Sequence, residues 1–86
     1  MAFINIGFGN VLNSNKIVSI VTSDSAPAKR IVAESKKKGN IIDATSGRRT
    51  KSVIICDDHV VLSALMPDTI AGRISGNYPK EDLNND

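Results

Sequence analysis

Lys51-Ser52-Val53-Ile54-Ile55-Cys56-Asp57-Asp58-His59-Val60-Val61-Leu62-Ser63-Ala64 is the stretch from which the fold can be read. Two runs rich in β-branched residues flank Asp57-Asp58. A two-residue loop between such runs joins antiparallel strands into a hairpin. Both strands are apolar at nearly every position, so both faces of this part of the sheet require cover. The chain offers one long helix signal, and one helix covers one face. A neighbouring copy of the chain is therefore expected on the other face, which makes the protein a homo-oligomer.

Immediately upstream lies Asp43-Ala44-Thr45-Ser46-Gly47-Arg48-Arg49-Thr50-Lys51. Ile41 to Thr45 reads as a short strand and Ser46-Gly47 as a reversal, because Gly takes φ > 0 without steric cost. On this reading the strands before and after the reversal are paired neighbours. Arg48, Arg49 and Lys51 then sit on the turn and at the start of the next strand. A turn anchored at both ends fixes the direction of its side chains. Two adjacent guanidiniums held this way suit phosphate, since each planar fork can donate two parallel hydrogen bonds. A solvated, charged hairpin tip is the plainer reading of the same residues, and the rest of the chain has to decide between them.

Further upstream, Ser23-Asp24-Ser25 supplies N-cap candidates and Pro27 lies just inside a helix that should run from Ala26 to Lys38. Ala28, Ile31, Val32 and Ser35 follow the spacing of a buried stripe, with Lys29, Arg30, Lys36, Lys37 and Lys38 off it. Gly39-Asn40 stops the helix, and the lysine run complements its macrodipole. Lys16 to Thr22 is a β-branched strand with Lys16 at its first residue. Phe3 to Phe8 alternates as a strand, followed by a turn or bulge at Gly9-Asn10; Val11-Leu12 leads into a polar turn, Asn13-Ser14-Asn15. Gly7-Phe8-Gly9 lacks the third glycine of a dinucleotide fingerprint, whose place Leu12 takes, and no helix signal follows. These glycines read as structural, permitting a sharp bend or a close backbone approach.

Downstream, Met66-Pro67-Asp68 opens a short helix with Ile70 and Ile74 as its apolar contacts and Gly76 at its end. The fold class is therefore α+β: a small, mostly antiparallel sheet with one longer and one short helix. Residues 1–76 form one domain and residues 77–86, polar and mostly acidic, a disordered tail.

A chain of 86 residues makes a single domain with a thin core. Cys56 is the only cysteine, which excludes an internal disulfide and fits a reducing compartment. No charged N-terminal signal and no apolar run near membrane length is present, so a soluble cytoplasmic protein is expected. The net charge of +2 is unevenly laid out. Residues 16–51 hold nine Lys/Arg against Asp24, Glu34 and Asp43, whereas residues 52–86 hold Arg73 and Lys80 against six acids. A basic middle is the footprint of a polyanion binder. Phe3, Phe8 and Tyr78 are the only aromatics, too few for base stacking on single strands, which favours duplex binding through phosphates. RNA binding and a scaffold oligomer, its basic turn paired with Asp57, Asp58 and the tail acids of neighbours, are the alternatives. Cys56 and His59 flank the hairpin loop, but a structural zinc needs four ligands and nothing nearby suggests an oxyanion site. No metal, cofactor, small-molecule substrate or catalytic activity is expected.

Asn5-Ile6-Gly7-Phe8-Gly9-Asn10, Ser25-Ala26-Pro27 with Lys29-Arg30-Ile31, Ile42-Asp43-Ala44-Thr45 with Gly47-Arg48-Arg49-Thr50, Asp58-His59-Val60 and Leu62-Ser63-Ala64 together carry a resemblance. From about Phe3 to Ile74 the chain resembles the RemA family of bacterial extracellular-matrix regulatory proteins. The resemblance implies a nucleoid-associated, DNA-binding transcriptional regulator of biofilm-matrix and osmoprotection genes. It also implies a protomer similar to a LytTR-type DNA-binding domain, and assembly into a ring. Arg48 and Arg49 take the positions of the family's DNA contacts. Lys16 stands where relatives can carry Arg, keeping the charge without the bidentate fork. Lys51 and Arg30 extend this cationic set, while Pro27, matching a family proline, fixes the helix start and Gly7, Gly9 and Gly47 serve the backbone. The expected mechanism is an array of such turns, each weak alone, that releases many counterions together on a duplex.

Overall fold

The computed structural model describes residues 3–76. The chain runs β1 (Phe3–Asn5), β2 (Val11–Asn13), one 3-10 turn (Ser14–Lys16), β3 (Ile17–Thr22), α1 (Ala26–Lys38), β4 (Ile41–Asp43), β5 (Ser52–Cys56), β6 (Val60–Ser63) and α2 (Pro67–Ser75). The hairpin read from the sequence is present: β5 and β6 pair antiparallel, with Ser52 opposite Ser63 and Ile55 opposite Val60. β3 pairs antiparallel with the other side of β5, and β4 pairs parallel with the other side of β6. The order β3-β5-β6-β4 makes a four-stranded sheet that is antiparallel except at one edge.

This order corrects the expectation that β4 and β5 are paired neighbours. β6 lies between them. All four residues of β6 are buried, and such a strand satisfies its backbone on both sides only in an interior position. The segment between β4 and β5 is thus a loop across the end of β6, not the tip of a hairpin.

α1 lies where its stripe and caps put it. The Ser25 hydroxyl accepts the Ala28 N–H at 3.2 Å, Pro27 is in the first turn, and Gly39 closes the helix at φ 76°. Ala28 packs with Val53, Val60 and Leu62, flanked by Val21, Ile31, Val32 and Ile41, and seals one face of the sheet.

The opposite face is covered by the same chain. Ile54, Cys56 and Val61 of the sheet pack with Ile4, Ile6, Ala44 and Ile70, and Leu12, Ile17, Ile20 and Leu65 close the rim. The β1–β2 hairpin and α2 supply this cover, so the argument that a second copy is required there does not hold. Three-residue strands carrying one core residue each, Ile4 and Leu12, do not read as a layer when taken alone.

β1 also ends earlier than the alternation suggested. Gly7, Phe8 and Gly9 have φ of 106°, 53° and 80°, a tight turn closed by Ile6 N–H to Asn10 O at 2.9 Å and Asn10 N–H to Gly7 O at 3.0 Å. Phe8 is therefore half-exposed rather than in register with Ile4 and Ile6. The close approach read for these glycines is real at Gly7, where a Cβ would meet Leu65 Cγ at 3.4 Å. The tail expectation falls on residues 77–86, outside the described residues, within which no helix is long and apolar enough to cross a membrane.

Ser63 joins the layers. Its buried hydroxyl donates to Ile6 O at 2.8 Å and accepts the Leu65 N–H at 3.1 Å. Ser63→Ala should lower unfolding stability by about 1–3 kcal/mol, because it strips a partner from each of two buried backbone groups. Urea titration should show a lower midpoint at unchanged slope; an unshifted midpoint would mean that water or relaxation replaces the hydroxyl.

Candidate functional site

The loop over β6 starts and ends on that strand. Ala44 N–H donates to Leu62 O and Lys51 N–H to Ser63 O, each at 2.9 Å. Neighbouring carbonyls of one strand thus hold both ends of the span. Asp43 and Thr45 tighten its first turn: the carboxylate accepts the Thr45 N–H at 2.9 Å and the Thr45 hydroxyl at 2.6 Å. Thr45 and Ala44 are buried under the loop. The reversal follows, with Ser46 at φ 53° and Gly47 at φ 79° and Arg48 N–H donating to Thr45 O at 3.0 Å. Positive φ at both central residues is the mark of a type I′ turn. On the far side, Ser23 Oγ donates to Thr50 O at 2.8 Å and Ser23 N–H to Lys51 O at 3.1 Å.

Arg48, Arg49 and Lys51 are exposed on this fixed backbone. The Arg48 guanidinium lies 5.1 Å from the centroid of the Phe8 ring, a cation–π contact worth ~0.5–1 kcal/mol at an exposed site. The Phe8 turn is tied to the loop by Asn10, whose Nδ2 donates to Gly7 O at 2.9 Å and to Ala44 O at 3.2 Å. Between the turn, the loop and α2 opens a cavity of about 600 Å³. Arg48, Arg49, Lys51 and Arg73 supply its cations, Asn5, Gly7 and Phe8 one wall, and Ala64 and Leu65 an apolar surface; among the described residues no carboxylate lines it. Arg73 is held at the rim, Nη1 donating to Asn5 O at 2.7 Å.

The other sequence-derived cations lie elsewhere. Lys16 is at the opposite end of β3 from this loop, since Ile17 faces Cys56 while Thr22 faces Ser52. Its ammonium is 3.9 Å from Asp57, an exposed pair of little energetic weight. Arg30 is exposed on α1, which packs on the other face of the sheet from the Phe8 turn, and it does not line the cavity. Pro27 lies in the first turn of α1, away from the loop. The Cys56 thiol is pushed up by burial and by the nearby Asp57 and Asp58, which keeps it protonated and a poor nucleophile. His59 Nδ1 lies 2.6 Å from Asp58 Oδ1, and this contact holds the Asp58 carboxyl below its ordinary value.

Sequence reasoning missed Phe8, Asn10 and Arg73 as parts of this site. Phe8 read as a core residue of a longer strand. Arg73 sits in the acidic half of the chain, and no local spacing marks it. Only the docking of α2 beside β1 brings it to the basic loop.

Comparison with known proteins agrees with the resemblance. A family model described as RemA-like, extracellular matrix regulatory protein A-like, matches residues 3–74. A protein of Carboxydothermus hydrogenoformans named as a regulatory protein is 56% identical over 81 residues, covering 93% of each chain. Relatives with similar names are 54% identical over 82 residues in Clostridium botulinum, covering 94% of this chain and 90% of that one, and 53% identical over 78 residues in Geobacillus thermodenitrificans, covering 90% of both.

The loop anchor has an acid signature. The Thr45 hydroxyl and N–H, with Lys36 nearby, hold the Asp43 carboxyl below its ordinary value. Asp43 then protonates at lower pH in the folded protein than in the unfolded chain. Its contribution is full above about pH 4 and is lost as pH falls through the folded value. Thermal unfolding of wild type and Asp43→Asn followed from about pH 6 to pH 2 should give Tm curves that converge at the acid end. Curves that stay parallel would remove Asp43 from the loop's stability.

Proposed function

Because the chain belongs to the RemA-like family, we propose that it is a DNA-binding transcriptional regulator that activates extracellular-matrix and osmoprotection genes. Duplex DNA is its partner, and Arg48, Arg49 and Lys51 hold the phosphates. The observation that carries this reading is the anchored loop: three exposed cations on a backbone closed onto β6, beside a cavity that no carboxylate among the described residues lines. Cations carried on a fixed backbone lose less entropy on binding phosphate than cations on a mobile tip.

Binding by an assembled homo-oligomer, arranged as a ring, belongs to the same proposal. Its support comes from the sheet edges. β3 and β4 are the two outer strands, so among the described residues each leaves one side of its backbone without a strand partner. Val18 is the extra residue at the bulge of β3 and is 67% exposed; Ile42 on β4 is 50% exposed. Apolar side chains on opposite edges suit a head-to-tail contact, the kind that closes into a ring when the rotation allows. Such an assembly also multiplies the contacts of a loop that is weak alone.

Two measurements test the proposal. Arg48→Ala and Arg49→Ala should each weaken binding of a promoter duplex by about tenfold or more, by loss of charge-assisted hydrogen bonds, with oligomeric mass unchanged. Tm should hold in Arg49→Ala and fall by a few degrees at most in Arg48→Ala, which gives up the Phe8 contact. Loss of the oligomer in either variant would instead place these arginines at a scaffold interface. Light scattering of the native protein should give a multiple of the chain mass that falls in Val18→Glu and Ile42→Glu; a single-chain mass for the native protein would sink the array.

A further inference from the structure

We propose that the cavity beside the basic loop is a binding site for a small nucleotide, which competes there with DNA. The inference rests on the reading of Arg48, Arg49 and Lys51 as phosphate-binding residues and adds a ligand to it. A cavity of about 600 Å³ is larger than a backbone phosphate requires and falls within the range of small-molecule sites. Its lining is of two kinds. The cations come from separate elements, the loop and α2, so phosphate oxygens can be met from more than one direction. Ala64, Leu65 and the Phe8 ring give the remainder an apolar and aromatic character, which a bare polyanion does not need and a base ring does.

The Phe8 backbone is a second observation. Phe8 is held at φ 53°, a conformation a bulky side chain seldom adopts, by the bonds that close the turn around it: Asn10 donates to Gly7 O through both its N–H and its Nδ2, and Ile6 N–H donates to Asn10 O. Strain of this kind persists where the surroundings enforce it, and it concentrates at ligand sites. Here it places the ring at the cavity wall and under Arg48, instead of in the core with Ile4 and Ile6. The nucleotide and the duplex would share Arg48, Arg49 and Lys51, so occupancy by one excludes the other. The cavity then makes DNA binding responsive to nucleotide concentration.

The test is calorimetric titration of the full chain with ATP, with tripolyphosphate and with a promoter duplex, on wild type and Ala64→Leu. Ala64 is half-buried and lines the cavity, so the larger side chain fills space while every cation remains. ATP should bind about tenfold more tightly than tripolyphosphate, the gain expected of one stacked base, and should displace the duplex. In Ala64→Leu the ATP advantage should vanish, with duplex affinity within about twofold of wild type and Tm preserved. ATP binding no tighter than tripolyphosphate, or unaffected by Ala64→Leu, would overturn the nucleotide site and leave the DNA reading intact if the duplex still binds. ATP binding without duplex binding would uphold the site and reject the DNA reading.

Discussion

Two hydrogen bonds from the ends of one loop to adjacent carbonyls of β6 are the constraint on which the arrangement depends. β6 is fully buried between β5 and β4, so it is among the least free parts of the chain to move. The loop that departs from β4 and returns into β5 has to cross the end of this strand, and Leu62 O and Ser63 O fix where it does so. Rigidity generated by apolar burial in the sheet is thereby handed to the backbone that carries the charged side chains at its rim. Asp43, Thr45 and Asn10 complete the transfer by removing the remaining freedom of the loop's first half.

The same strand end organises the second layer. Ser63 binds the Ile6 carbonyl and the Leu65 N–H, while Ser52, opposite it on β5, donates to the Leu65 carbonyl. The linker into α2 is tied down by these hydroxyls, and α2 in turn carries Arg73 to the edge of the cavity. Polar groups buried beside Ile54 and Ile70 are costly unless paired, and here their pairing fixes the position of the layer that covers the sheet. The cationic site is thus bounded by the two segments that the sheet's second face recruits.

Elements defined by local chemistry were legible in the sequence. Ser25, Pro27 and Gly39 bound α1 at the residues their chemistry predicts, and the β5–β6 hairpin followed from β-branched runs around Asp57-Asp58. The position of Arg48 and Arg49 beyond a Ser-Gly reversal was also legible, since φ > 0 at Gly47 is a local requirement. What failed was long-range. Nothing in Ile41 to Thr45 reports that β6, which comes later in the chain, will occupy the place beside β4 that β5 seemed to claim. Nor do Ile4 and Leu12, each alone in a three-residue strand, announce that they help cover a sheet face and so remove one argument for a partner copy. Arg73 and Phe8 were invisible as site residues for the same reason: tertiary docking of α2 and a strained turn, not spacing, bring them to the loop.

The central claim is that cations fixed on a β6-anchored loop engage duplex phosphates. Its most direct test is the salt dependence of the protein's affinity for a promoter duplex. Each phosphate neutralised contributes a slope of about −0.9 to log K against log salt, so the loop of a single protomer corresponds to roughly −3, and an array to a multiple of that. The account predicts a slope at least this steep, reduced by about one in Arg49→Ala for each protomer engaged. A nearly flat slope, or one that Arg49→Ala leaves untouched, would contradict it.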